Sequence, residues 1–299
     1  MNIFESVPNF STSDENIIEI LKGIITSGGG TFLDSTSDRD HNRSVITLIA
    51  DNDRIVQILF DLAKSAKELI DMEKHRGLHP RIGALDVLPI VPMGNSTMNE
   101  AIEISNKLGY RIGSELGIPV YMYGESAKIP ERRDISYIRN MHFQYEELKQ
   151  HILEEKYKPD YGPAVLGSAG AMMVGARNFL IAYNVNINTD DVSKVNMIVK
   201  KIRSGKYFKG VKALAFPIKS KGYTQLSMNI YCYKCSPINN IYNFIDSEAK
   251  GMGFDIESSE IIGLLPADAV TLSLGKFIKA DISGKNILEY KILGSYGNR

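Results

Sequence analysis

RSVITLIADNDRIVQILFDLAKSAKELI, Arg43–Ile70, is the stretch that decides the fold class. Its first eight residues, Arg43–Ala50, are mostly apolar and rich in β-branched side chains, the composition of a strand. Asp51 then stands where a helix N-cap belongs. Beyond it Ile55, Val56, Leu59, Leu62, Ala63, Ala66 and Ile70 recur at helical spacing. A strand running directly into a long amphipathic helix implies a mixed α and β protein.

The same alternation extends in both directions. Upstream, Asn2–Val7 reads as a strand. A capping-box pattern, Thr12 to Glu15, opens a helix to about Thr26 with Ile17, Ile18, Leu21 and Ile25 on one face. Gly28-Gly29-Gly30 turns the chain into a strand at Thr31–Asp34. Downstream, Leu85–Val91 is a strand, Met98–Leu116 a helix and Pro119–Tyr123 a further strand. The order to Val91 is β-α-β-β-α-β, the split ferredoxin-like arrangement.

A second copy of that order follows, without sequence repetition. Its strands are Phe179–Ile187, Val211–Phe216, Gln225–Tyr231 and Phe254–Leu264. Its helices are Asp190–Arg203 and one running from an N-cap and N1 pair at Ser236-Pro237 to about Gly251. The expected architecture is α+β: two βαββαβ ferredoxin-like subdomains, 1–177 and 178–299, with a substrate cleft or tunnel between them.

Composition sets the partners. The chain has 299 residues, 43% apolar and 23% charged, with 35 Lys plus Arg against 35 Asp plus Glu. A neutral whole argues against extensive binding to nucleic acid, which needs many phosphate-neutralising cations. No run approaches the roughly 20 apolar residues of a membrane span. The N-terminus lacks the basic and apolar regions of a signal peptide, so a cytoplasmic setting is expected. The two cysteines, Cys232 and Cys235, form a lone C-x-x-C at a strand end. In a regular strand their thiols face opposite ways, which argues against zinc or redox work and fits a reducing compartment.

His79 has the most unusual context of the five histidines, Gly77-Leu78-His79-Pro80-Arg81-Ile82-Gly83, in the connection entering a strand. A neutral imidazole there can act as a general base near neutral pH; a plain loop histidine is the competing reading. His75 reads as a helix-end residue complementing the dipole. Asp38-Arg39-Asp40-His41-Asn42-Arg43 is either a solvated hairpin connection or a set of groups for an anionic substrate. Tyr157–Ala176, rich in Gly, Ala and Pro and almost uncharged after Asp160, is too apolar for a solvated linker. It is either a ligand-facing loop or a tightly packed connection. Neither Gly28–Gly30 nor Gly167–Gly175 has the context of a phosphate-binding loop or dinucleotide fingerprint.

Eight segments in order resemble the formiminotransferase family, the glutamate formimidoyltransferases. They are ESVPNFS (Glu5–Ser11), DHNRSV (Asp40–Val45), HPRIGALDVLPIVP (His79–Pro92), PVYMYGESA (Pro119–Ala127), ERRDISYIR (Glu131–Arg139), PDYGP (Pro159–Pro163), GARNFLIAYNVNI (Gly175–Ile187) and SEIIGLLP (Ser259–Pro266). The resemblance implies two α/β subdomains, usually in a homodimer. It implies transfer of the formimino group of N-formimino-L-glutamate to N5 of tetrahydrofolate, a step of histidine degradation, with tetrahydrofolate as co-substrate and no metal.

The resemblance assigns His79 as acid–base catalyst, backed by a carboxylate that would raise its pKa. Thr36 stands where some relatives carry that aspartate, leaving Asp34, Asp38 and Asp40 as candidates. His41, Asn42, Arg43 and Arg81 become substrate-binding candidates, the guanidinium forks matching carboxylates. Gly162, Pro163, Ala164, Val165, Leu166, Gly167, Ser168, Ala169, Gly170 and Ala171 match the folate-binding loop, one residue shorter than usual. Arg132, Arg133 and Arg177 are further local cations for anionic substrates. The cyclodeaminase domain fused in some relatives is not expected, so a separate deaminase would process the product. Formyl transfer from N-formylglutamate, or folate binding without catalysis, are the alternatives.

Overall fold

A computed structural model describes residues 2–140, 142–218, 221–282 and 286–287. The chain divides into two compact units, Met1–Asn178 and Phe179–Arg299.

The first unit is built on one sheet. Strand β1 (Ile3–Ser6) lies between β4 (Arg43–Asp51) and β5 (Leu85–Met93), antiparallel to both. β3 (Thr31–Asp38) pairs with the far side of β4, and the two-residue β2 (Asn9–Phe10) continues the line of β1 between β4 and β5. Beyond β5 the sheet becomes parallel, with β7 (Met172–Ala176) between β5 and β6 (Val120–Gly124). Helices α1 (Glu15–Ser27), α2 (Asn52–Leu69) and α3 (Met98–Glu115) close its core, which includes Leu21, Ile25, Leu59, Leu62, Leu108 and Ile112. A short α4 (Tyr145–His151) precedes β7.

β7 falls inside the Gly- and Ala-rich segment read as a loop or connection. All five of its residues are buried. A parallel strand covered on both faces carries no alternation to detect, so its signal was absent from the pattern. Asp51 caps α2 as expected, accepting from the Arg54 amide at 3.0 Å. The expected capping box at Thr12 is not formed. The Ser11 amide donates to the Ala84 carbonyl, which keeps the chain extended for two more residues, and Asp14 caps α1 through the Asn16 amide.

The second unit is a four-stranded antiparallel sheet in the order β11-β8-β10-β9. Its strands are β8 (Ile181–Ile187), β9 (Val211–Ile218), β10 (Tyr223–Ile230) and β11 (Ile256–Ile262). Helices α5 (Val192–Arg203), α6 (Ile238–Gly251) and α7 (Ala267–Ile278) accompany it, and Val185, Leu226, Ile198 and Ile241 fill the core. Helix α7 was not anticipated.

Two local expectations fail in this unit. Ser236 does not cap α6, because its hydroxyl bonds both backbone groups of Lys209, each at 2.9 Å. Cys232 and Cys235 are joined in a disulfide with sulfurs 2.09 Å apart. The strand ends at Ile230, and the Cys235 amide turns back onto the Cys232 carbonyl at 3.0 Å. A turn, unlike a strand, puts both thiols on one side, so the expected separation and the inference to a reducing compartment both lose their basis.

Candidate active site

Register places several of the singled-out residues on one face. Directly opposed residues in an antiparallel pair project to the same side. Asp34, Thr36 and Asp38 oppose Thr47, Val45 and Arg43; Asn9 opposes Val45, and Glu5 opposes Ile49. On β4 the alternate positions Ile46, Leu48 and Ala50 enter the core. Glu5, Asn9, Asp34, Thr36, Asp38 and Arg43 therefore share the opposite face of the first sheet. Burial raises the Glu5 carboxyl above its usual value, with Arg177 opposing.

Arg43 is buried, giving one hydrogen bond to Asp86 at 3.0 Å and one to the Asn9 side chain at 2.8 Å. Burial lowers its guanidinium to about 10, against the attraction of Asp86. Asn42 adopts the left-handed conformation, φ 45°, which asparagine tolerates well. Its amide oxygen accepts from the Ser13 amide and hydroxyl, and its nitrogen donates to the Arg76 carbonyl. Its architectural contacts thus clamp the start of α1 to the loop that carries His79. The His41 ring meets the His79 ring edge-on, centroids 6.0 Å apart, while its backbone amide donates to Asp38 at 2.8 Å.

His79 Nδ1 lies 2.7 Å from the Pro80 carbonyl oxygen. A carbonyl only accepts, so Nδ1 carries the proton and Nε2 holds the lone pair in the neutral ring. The ring's pKa is held well below its ordinary value, chiefly by burial and then by the charges of Arg43 and Arg139. The electrostatics therefore run opposite to the expected carboxylate partner. Among the described residues, none of the hydrogen bonds or ion pairs of His79 involves Asp34, Asp38 or Asp40.

Arg81 is placed differently from a free ligand-binding fork. Its Nε donates to His75 Nδ1 at 3.1 Å. Its Nη1 donates to Gln144 at 3.0 Å and Glu146 at 2.8 Å, and its Nη2 to Glu146 at 2.7 Å and the His75 carbonyl at 3.4 Å. All five N–H donors of the guanidinium are engaged within the chain. His75 is not on the helix end: α2 stops at Leu69, and His75 is buried, its Nε2 donating to the Asn42 carbonyl at 2.9 Å. Burial lowers its pKa as well.

The Gly162–Ala171 segment is stitched to the strand entry that follows His79. The Ala84 amide donates to the Ala169 carbonyl and the Ala171 amide to the Ile82 carbonyl, bracketing a Gly83–Gly170 bridge. A Cβ on Gly83 would lie 1.9 Å from the Ala171 oxygen, so this approach requires glycine. Leu166, Ala169 and Ala171 turn inward, whereas Val165 is 68% exposed. The end of the segment is packed, and Val165 in its middle is exposed.

Arg132, one of the proposed local cations, is buried against Asp160 at 2.8 Å, and Arg133 pairs with Glu125 at 3.2 Å. Residues that sequence reasoning missed include Asp86, Arg139 and Glu146. Asp86 had a legible signal, being the sole charge in the apolar run Leu85–Pro92. Among the described residues, no group of three or more His, Cys, Asp or Glu could hold a metal ion. Nor is any helix long and apolar enough to cross a membrane.

Comparison with known proteins gives the same direction along the whole chain. Residues 3–177 match the model of the formiminotransferase domain, N-terminal subdomain, and residues 182–291 that of the formiminotransferase domain. A glutamate formimidoyltransferase of Thermoplasma acidophilum is 44% identical over 98% of both chains. One of Streptococcus pyogenes is 38% identical over 98% of this chain and 99% of its own length. A formimidoyltransferase-cyclodeaminase of Dictyostelium discoideum is 36% identical over 92% of this chain, which spans 53% of that longer protein.

Proposed function

The chain belongs to the formiminotransferase family and is a transferase of one-carbon groups; from that premise we propose that it moves the formimino group of N-formimino-L-glutamate to N5 of tetrahydrofolate. The near full-length likeness to two glutamate formimidoyltransferases carries this reading. His79 is the acid–base catalyst. Its Nε2 lone pair, left bare by the Nδ1 contact, takes the N5 proton as that nitrogen attacks the formimino carbon. The imidazolium then returns the proton to the glutamate nitrogen, the bond from carbon to that nitrogen breaks, and the imine re-forms on N5. Atoms and protons balance with no further reactant.

A base that stays neutral below the usual histidine range suits this work, because it is in the accepting form at neutral pH. The first-sheet face with Arg43, Asp34 and Asp38, together with Asp40 and His41 of the adjoining turn, supplies polar contacts to the donor. Asp38, already bonded to the His41 amide, orients the His41 loop. The exposed Val165 in an apolar Gly162–Ala171 loop fits a flat heteroaromatic ring. Strand orders β3-β4-β1-β5 and β11-β8-β10-β9 support a ferredoxin-like reading of both units, and the proposed subdomains, 1–177 and 178–299, lie within one residue of the division at Asn178. The fused cyclodeaminase relatives favour a cyclodeaminase as the enzyme acting next.

The test is direct. Purified protein given formiminoglutamate and tetrahydrofolate forms 5-formiminotetrahydrofolate and glutamate, and His79→Ala folds normally but loses most turnover. Absence of product across pH 6 to 9 rejects the transfer; full activity in His79→Ala rejects the assigned base.

A further inference from the structure

Asp86 lies fully buried in a strand of apolar residues. An unpaired carboxylate there would be strongly disfavoured, so its partners are informative. Its Oδ1 accepts from the Ile82 amide at 2.8 Å. Its Oδ2 receives Arg43 Nη1 at 3.0 Å and Arg139 Nη1 at 3.3 Å. Arg139 is itself buried, and the same Nη1 donates to the Pro80 carbonyl. That oxygen is also the acceptor of the His79 Nδ1 proton at 2.7 Å, while Arg139 Nη1 faces Nδ1 only at 3.5 Å and gives its hydrogen to the carbonyl. A carbonyl has two lone pairs and serves both donors at once.

We propose that Asp86 and Arg139 are positioning residues for the transfer reaction: Asp86 holds Arg139, Arg139 holds the Pro80 carbonyl, and that carbonyl sets His79 as the Nδ1–H tautomer with Nε2 bare. This rests on the reading of His79 as the base. The free histidine side chain prefers the opposite tautomer, with the proton on Nε2, so the preference must be imposed. A Pro80 peptide free to rotate would release it. The guanidinium holds the peptide through one nitrogen, Nη1, which donates to the Pro80 oxygen while its charge is paired with the buried Asp86 carboxylate. Lysine keeps the charge but carries it as a more strongly hydrated ammonium on a flexible stem, which is costlier to hold in this buried position. The two groups touch neither the reacting carbon nor N5 in this scheme; they act through the imidazole.

The experiment reads the tautomer and the turnover separately. Protein carrying 15N-labelled histidine is observed by NMR at pH 8, with His79→Gln assigning the His79 resonances. In the wild type, Nδ1 has the shift of a protonated nitrogen and Nε2 that of a bare one. Arg139→Gln moves both shifts toward the Nε2–H form and lowers kcat on the order of 10- to 100-fold, the usual loss when a residue supporting a functional group is removed. KM changes little, and Arg139→Lys recovers only a small part. Asp86→Asn repeats the tautomer change if it folds, and Asp86→Glu restores some of it; if neither folds, the Arg139 pair decides. A wild-type His79 protonated at Nε2 overturns the proposal. So does a folded Arg139→Gln that keeps the Nδ1–H form with kcat within about twofold of wild type. The tautomer is measured without substrate, so a wild type lacking turnover would reject the transfer reading while the NMR result still judged the positioning.

Discussion

Replacing Arg81 by lysine separates two roles that guanidinium could play. As a substrate ligand it would govern affinity and leave stability alone. As an internal anchor it would govern stability, since its five donors reach His75, Gln144 and Glu146. An ammonium brings three donors and no planar fork. Two contacts at least are lost, and the buried His75 Nδ1 is the acceptor least able to find water. Glu146, with its side chain about half exposed, resolvates readily and adds little. At roughly 1–1.5 kcal/mol for each lost bond, Arg81→Lys destabilises the first unit by about 2–3 kcal/mol. With about 2–4 °C of Tm for each kcal/mol in a unit of this size, melting falls by about 4–12 °C. Glu146→Gln, which keeps one acceptor, falls by much less. Differential scanning calorimetry and initial rates on the same preparations decide the matter. A Tm within about 1 °C of wild type, together with a KM for formiminoglutamate raised tenfold or more, would refute the anchor and favour the ligand.

Four further outcomes are expected. Because the folded His79 pKa lies below its unfolded value of about 6.5, the ring is still neutral where a free histidine would be protonated. The acidic limb of kcat/KM therefore lies below pH 6.5, and a limb at or above 7 would contradict the half-buried setting beside Arg43 and Arg139. By the same sign, the unfolded chain takes up a proton on His79 before the folded chain does. Stability from this group is then lost as pH falls from about 6.5 toward the folded pKa, by at most about 1.4 kcal/mol per unit. Urea unfolding at pH 7.5 and 5.5 shows a smaller drop in His79→Gln than in wild type; equal drops would deny the linkage. Gly83→Ala pushes a methyl group to within 1.9 Å of the Ala171 oxygen, and overpacking of this kind costs about 1–3 kcal/mol. Its Tm falls and binding of a folate analogue weakens with it, which isothermal titration checks. N-formylglutamate, with oxygen in place of the imino nitrogen, is a poorer donor by kcat/KM; parity between the two donors would redefine the reaction.

Periodicity along the chain was enough for most of the elements, because helical and strand spacing are local properties. Arg43–Ile70 became β4 and α2 almost to the residue. His79 stood out because it precedes a strand, and the ordered motifs carried the family. The aspartates near Thr36 were legible as residues but not as partners of anything.

What tertiary structure decided lies where distant segments meet. A turn beyond Ile230 brought two cysteines into a bond that strand geometry would forbid. Sheet register set Arg43 beside Asp86, 43 residues away, and Arg81 found Glu146 across 65. Asp86 meets Arg139, and Arg139 the Pro80 carbonyl, only in the folded chain, so the surroundings of His79 could not be read from its neighbours in sequence. Backbone preference is a short-range quantity written in spacing and composition. The pairing of buried charges depends on which strands align, and that is settled only when the core closes.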